Sequence, residues 1–212
     1  MTGKPQYDEP TVIDAALDVF WRHGYAAASI NQLTEATGLS RSSLYQRFQD
    51  KDGLFQEALS NYTARVVRRM EAVQADTMRD RLKALLRDFL PKQRNSKRPP
   101  GCMLARCCAE MPDMSEAGQA VALEGLERQR GVFEGLLAEA AASGELPKDA
   151  DINGLAWYYL GVLQAIMNLP QAGAAPAALD RTIEIAMSAW PVAQAPTPNG
   201  AVLHGAGQRS AS

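Results

Sequence analysis

At 212 residues the chain has the length of one to two domains and can bury a real core. Its 46% hydrophobic and 22% charged residues are those of an ordinary globular protein, and no run nears the roughly 18 apolar residues of a membrane span. The net charge of −2 excludes a polycation that would hold nucleic acid by bulk charge, but the sum hides a gradient: residues 64–98 carry 11 basic and 4 acidic side chains, residues 99–212 carry 6 and 12. The opening stretch "MTGKPQYDEPT" lacks an apolar signal region, and three cysteines, two of them adjacent, make no disulfide framework. A reducing, cytoplasmic location is therefore expected.

Helical periodicity runs through most of the chain. "PTVIDAALDVFWRHG" puts Val12, Ile13, Ala16, Val19 and Phe20 on one face, starts with Pro10 and stops at Gly24. Ser29 precedes "INQLTEATG", in which Ile30, Leu33 and Ala36 repeat at helical spacing before Gly38. Ser40 can cap "RSSLYQRF", whose inward residues by spacing are Leu44 and Phe48. Arg41, Ser42, Ser43, Tyr45, Gln46 and Arg47 are left outside. Two short helices joined by a glycine-containing turn form the helix-turn-helix pattern, whose second helix enters the DNA major groove. The exposed chemistry suits that role: Gln46 can pair bidentately with adenine, Arg41 or Arg47 can reach guanine or phosphate, and the hydroxyls of Ser42, Ser43 and Tyr45 can donate to phosphate or base. Lys51 follows Asp50 at the start of another helix, where free amides also favour a phosphate. A solvated face of a helical bundle would carry similar residues.

The stretch "DAALDVFWRHGYAAASINQLTEATGLSRSSLYQRFQDKDGLFQEAL", with its "FWxxGY" and "LYxxFxxKxxLF" patterns, resembles the DNA-binding part of the tetracycline-repressor (TetR) family over residues 10 to 60. It departs from many relatives in carrying Arg41-Ser42-Ser43 where they have a Gly or Pro. The resemblance implies phosphate contacts at Tyr45 and Lys51 and base reading by Ser42, Ser43 and Gln46. The candidate DNA-contacting set is Ser29, Arg41, Ser42, Ser43, Tyr45, Gln46, Arg47 and Lys51.

Beyond the reader, "DKDGLFQEALSNYTARVVRRMEAV" carries an apolar stripe from Leu54 to Val73, and "MRDRLKALLRDFL" continues as helix to Pro91. The basic loop "PKQRNSKRPPG" reads as solvated. Four further helical segments follow, broken at Pro112, at Gly144 to Pro147 and at Pro170 to Pro176. From Ala193 the tail is small, polar and Pro/Gly-rich, the composition of a disordered segment. The fold expected is all-α: a helix-turn-helix domain over 1–53, a helical ligand-binding and dimerisation domain over 54–192, and the tail 193–212. By resemblance the C-terminal helices enclose a ligand cavity, and the last two, within residues 151 to 190, form a four-helix seam in a homodimer. Met103, Met111, Phe133, Trp157, Tyr158 and Met167 supply the aromatic and Met-rich set of an adaptable apolar pocket, although plain core would use the same residues. Leu160, Leu163, Ile183 and Met187 are the expected seam.

The function expected is a transcriptional regulator, a repressor released from palindromic double-stranded DNA by a small, largely apolar inducer, with no cofactor, metal or membrane partner. A different reading rests on Cys102, which opens a helix after Gly101 with Arg106 at i+4, an arrangement that favours thiolate. Some TetR-like repressors with a similar "GC(M/L)L" look like sensors of reactive electrophiles, so oxidant or electrophile sensing is the alternative. Against it, Cys102 can equally be a small buried hydrophobe, as can Cys107 and Cys108. A helical scaffold without DNA binding is a further alternative. An enzyme is not expected: His23 ends a helix, His204 lies in the tail, and no phosphate-binding glycine loop or HExxH is present.

Overall fold

A computed structural model describes residues 7–91 and 99–191; the tail, with His204, and most of the basic loop lie outside the described residues. Among these there are nine α-helices and no strand: α1 Glu9–His23, α2 Ile30–Thr37, α3 Arg41–Phe48, α4 Lys51–Glu71, α5 Met78–Asp88, α6 Met103–Glu110, α7 Glu116–Ser143, α8 Ile152–Asn168 and α9 Pro176–Ser188. Short 3-10 turns follow α6 and α8.

Short-range chemistry starts most of these helices. Ser29 and Gln32 close a reciprocal capping box at α2, Ser40 Oγ accepts from the Ser43 amide at 3.1 Å, and Asp50 Oδ1 accepts from the Gly53 amide at 2.8 Å. Thr77, Ser115 and Asp151 do the same for α5, α7 and α8. α6 is different. Its N-cap, Cys102, supplies no side-chain cap, and the leading amides are met from elsewhere in the fold: Asn168 Oδ1 on α8 accepts from Cys102 N–H at 3.1 Å, and the Tyr62 hydroxyl on α4 accepts from Met103 N–H at 3.3 Å. The start of α6 is thus fastened to two other helices rather than to its own sequence.

One hydrophobic core runs through both ends of the molecule. α4, about 32 Å long at 1.5 Å per residue, joins them: Phe55 near its start meets Phe20 edge-on at a centroid distance of 5.1 Å, and Tyr62 meets Trp21 at 5.0 Å. α7 crosses α4 and α6 closely at Gly125, where an added Cβ would lie 2.8 Å from Thr63 Oγ1 and 2.7 Å from a Leu104 methyl. A side chain at this position would force Leu104 and Thr63 to shift. The division expected at residue 53 falls within the first turn of α4, so that helix serves both parts.

The side chains expected at a seam between protomers are buried within the chain. Leu160, Leu163, Ile183 and Met187 are 3%, 0%, 0% and 1% exposed and pack inside the single chain. The apolar side chains that α8 and α9 present to the outside are Trp157, Tyr158 and Ile185, at 51%, 41% and 64%. Both helices carry apolar residues on two faces, and it is the packing of α5 and α7 against them that decides which face is inward.

Candidate DNA-reading face and its coupling to the helical body

α3 is held by its two buried residues, Leu44 and Phe48, and shows the rest of its short surface outward. Arg41, Ser42, Tyr45 and Gln46 are exposed, and Ser43 is half-buried. Ser40 Oγ lies 2.9 Å from both the Ser42 and Ser43 hydroxyls, so the leading turn of α3 presents a hydroxyl cluster above its free amides. Arg41 donates to the Asn31 side chain of α2, which fixes the guanidinium across the turn. Ser29 is exposed, with its hydroxyl engaged in the α2 capping box.

Arg47 is placed differently from the expectation of a DNA contact. Its guanidinium pairs with Glu9 of α1 and with Glu57 of α4, the latter at 2.8 Å and 3.1 Å, and it lies 4.8 Å from the centre of the Phe48 ring. Hydrogen bonds donated to these carboxylates push its pKa further up, and the Glu9 carboxyl is lowered in turn, chiefly by the bond from Arg47. Arg47 therefore clamps α3 between α1 and α4. Lys51 is also engaged: its Nζ donates to the Tyr25 carbonyl at 3.0 Å and sits 4.6 Å from that ring's centre.

Tyr25, just after α1, connects this face to the body. Its amide donates to Glu110 Oε2 at the end of α6 (2.6 Å), and its hydroxyl donates to Asp52 Oδ1 (3.1 Å), with burial and the Asp52 charge raising the phenol's pKa. Asp52 Oδ2 also accepts from Ser115 Oγ at 2.7 Å, at the start of α7. Gly24 has a φ of +86°, and any Cβ there would run into the Glu110 carboxylate. The chain must be glycine here for α6 to reach Tyr25. Nothing in the local sequence signalled this, because Tyr25 and Glu110 are 85 positions apart.

Residues 12–58 match the family described as bacterial regulatory proteins, tetR family, and residues 79–186 match the tetracyclin repressor-like C-terminal domain. The chain belongs to the TetR family. It is a DNA-binding transcriptional regulator and not an enzyme. It is 29% identical over 198 residues to the HTH-type transcriptional repressor ComR of Escherichia coli K12, covering 89% of this chain and 92% of that protein. YezE, an HTH-type transcriptional regulator of Bacillus subtilis, is 27% identical over 164 residues, 74% of this chain and 83% of that one. Among solved structures, a cysteine-substituted variant of the TetR family regulator CifR in complex with a 26-base-pair operator DNA superposes with a TM-score of 0.80 at 30% identity, over 89% of this chain and 100% of that chain. The reduced form of Escherichia coli NemR, at 18% identity and a TM-score of 0.71, shares the fold.

The TetR body does not gather the six residues expected to line an apolar pocket. Met103 and Phe133 are core, Met111 and Met167 pack half-buried against it, and Trp157 and Tyr158 are exposed, with the Arg130 guanidinium 5.6 Å from the Trp157 ring centre. One cavity, of about 260 Å³, lies between α1, α6 and the end of α8, walled by Trp21, Pro100, Cys102, Ala105, Arg106, Asn168 and Gln171. Its lining is more polar than an apolar ligand would call for. Periodicity could not find it, because it forms where three helices that are distant in sequence meet.

Cys102 lies in the core at the start of α6. The residue is 2% exposed and its sulfur accepts from the Tyr62 hydroxyl at 3.5 Å, while Arg106, expected to face the thiol, bonds Glu110 at 2.9 Å. Burial pushes the Cys107 thiol up to about 12 and raises that of the exposed Cys108. Among the described residues no group of three or more His, Cys, Asp or Glu could hold a metal, and no helix is long and apolar enough to cross a membrane.

Proposed function

We propose that this TetR-family regulator is a homodimeric repressor that seats one α3 from each protomer in successive major grooves of a pseudo-palindromic operator, and that a small molecule bound in the helical body releases it. The observation that carries the reading is the outer face of α3: Ser42, Tyr45 and Gln46 exposed together on a helix fixed on its inner side by Leu44 and Phe48 and at its end by the Arg47 clamp. Such a face has the reach of a reading helix and the rigidity that base discrimination needs. Ser42 and Gln46 take the base edges, while Tyr45, Lys51 and the capping residue Ser29 lie toward phosphate. Arg41 serves beside them from its anchor on Asn31, and Ser43, half-buried, supports the leading turn.

One short helix discriminates too little by itself, so a second copy is required. The apolar face for it is the one on α8 and α9 that carries Trp157, Tyr158 and Ile185. The likeness to ComR, a repressor, and to CifR on its operator supports the operator binding and the repression in this reading. An electrophoretic mobility shift with the DNA flanking the gene tests it. The wild-type chain should retard a specific fragment, and the triple substitution of Ser42, Tyr45 and Gln46 by Ala should not. Equal retardation by both would place DNA binding elsewhere on the chain, and no retardation by the wild type would favour a helical scaffold.

A further inference from the structure

The cavity between α1 and α6 has a composition that names a ligand class. Arg106 is the one formal charge on its wall. Its Nε is taken by Glu110, and among the described residues its two Nη groups have no hydrogen bond. Gln171 is also on the wall, and its carboxamide has a close neighbour in Gly101. Gly101 has a φ of +92°, and a Cβ there would lie 2.7 Å from Asn168 Oδ1 and collide with the Gln171 amide nitrogen. This corner is kept open by the lack of a side chain. Asn168 is itself fixed, donating to the Gln164 carbonyl at 2.7 Å and accepting from the Cys102 amide. The remaining wall is the Trp21 indole, with Ala105, Pro100 and Cys102. A cavity of roughly 150 Å³ suffices for benzene, so about 260 Å³ admits one ring with a small polar substituent. A guanidinium fork beside a carboxamide recognises a carboxylate in plane, and an indole recognises a flat ring.

We propose that this cavity takes a small aromatic carboxylate, and that its carboxylate, shared with Glu110 on the Arg106 guanidinium, loosens the hold of Glu110 on the Tyr25 amide. The inference rests on the repressor reading and gives its inducer a chemical class. The physical step is electrostatic. Glu110 accepts from Arg106 Nε and from Tyr25 N–H at once, and a second carboxylate on the same guanidinium both repels it and draws the arginine toward the cavity. The end of α6 then no longer fixes the backbone between α1 and α2, and the reading helix loses its place relative to the body. Trp21 couples the same event directly to α1, since its ring is part of the wall.

Benzoate is the probe, with benzamide as its neutral match, titrated calorimetrically into the full chain without DNA. Benzoate should bind saturably and at least tenfold more tightly than benzamide, and both Arg106→Gln and the exposed-site variant Gln171→Leu should erase that preference. Operator affinity is read separately: benzoate should weaken it in the wild type but not in Glu110→Gln, whose side-chain carbonyl still accepts from Tyr25 without the charge. No preference for benzoate, or a preference that survives both cavity variants, overturns the site. Binding without any change in operator affinity, or equal release from Glu110→Gln, overturns the relay. Failure to bind operator with no benzoate present would instead fault the repressor reading, which the calorimetry does not depend on.

Discussion

Gln46 stands one helical turn beyond Ser42 on the outer face of α3, with its carboxamide in solvent. Gln46→Ala should relax base preference at one position in each half-site, at about 1–3 kcal/mol, as read by competition between operator variants. Lys51 and Arg47 separate two roles that look alike in sequence. Lys51→Ala should weaken binding to every sequence and lower the salt slope by about 1, whereas Arg47→Ala should leave that slope alone and cost at most about 1 kcal/mol of stability, since both its partners are a third exposed and screened. The Glu9 side of this clamp depends on pH. Its carboxyl is lowered below the unfolded value of roughly 4.3, so its stabilising effect is complete above that value and lost as pH falls through the lower folded one. Denaturant curves of wild type and Glu9→Gln should differ at neutral pH and converge in acid below about pH 4. A gap that persisted in acid would mean that Glu9 stabilises by packing. At this scale the caps were legible, because Ser29, Ser40 and Asp50 act on amides three residues away. Arg47 was not, because its partner Glu9 is 38 positions off and nothing local distinguishes a clamped arginine from a free one.

For the elements, the informative helices are α8 and α9. Their helical character and the breaks around Pro170 and Pro176 could be read from periodicity and proline. Which of two apolar faces turns inward could not, since hydrophobic spacing is satisfied by either and the choice belongs to α5 and α7. Two sets of substitutions therefore behave oppositely. Trp157→Asp with Ile185→Asp, on the outer face, should leave a folded monomer by light scattering that has lost operator affinity. Leu163→Asp puts an unpaired charge at a site with 0% exposure and should prevent folding altogether, at a cost of several kcal/mol. If Leu163→Asp gave a folded monomer, the packing of α8 described here would be inverted. In α6 the sequence points to an amphipathic helix with cysteines at its start and middle, but its leading amides are capped by Tyr62 and Asn168, from helices before and after it. Cysteine accessibility follows: in the native chain N-ethylmaleimide should label Cys108 first and leave Cys107 unlabelled, as a peptide mass map would show.

Taken as a whole, the molecule is a reading head and a helical body sharing α4 and a single core, joined a second time through Tyr25, Asp52, Ser115 and Glu110. Those long-range bonds make the position of α3 a property of the body, which is what a releasable repressor requires. Gly24→Ala tests the second joint: with φ at +86° and Glu110 in the way, alanine does not fit the backbone, and the change should destabilise the fold by more than about 1 kcal/mol and weaken operator binding together with it. The central claim, a dimer reading a two-fold operator with α3, is tested most directly by footprinting the chain on the DNA flanking its gene. Two α3 helices on one dimer predict a pair of protected half-sites, related by inverted symmetry and centred one helical turn or a multiple of it apart, about 34–36 Å per turn, lost in the triple Ser42, Tyr45, Gln46→Ala chain. A single unpaired footprint, or a protected pair that survives the triple substitution, would contradict it.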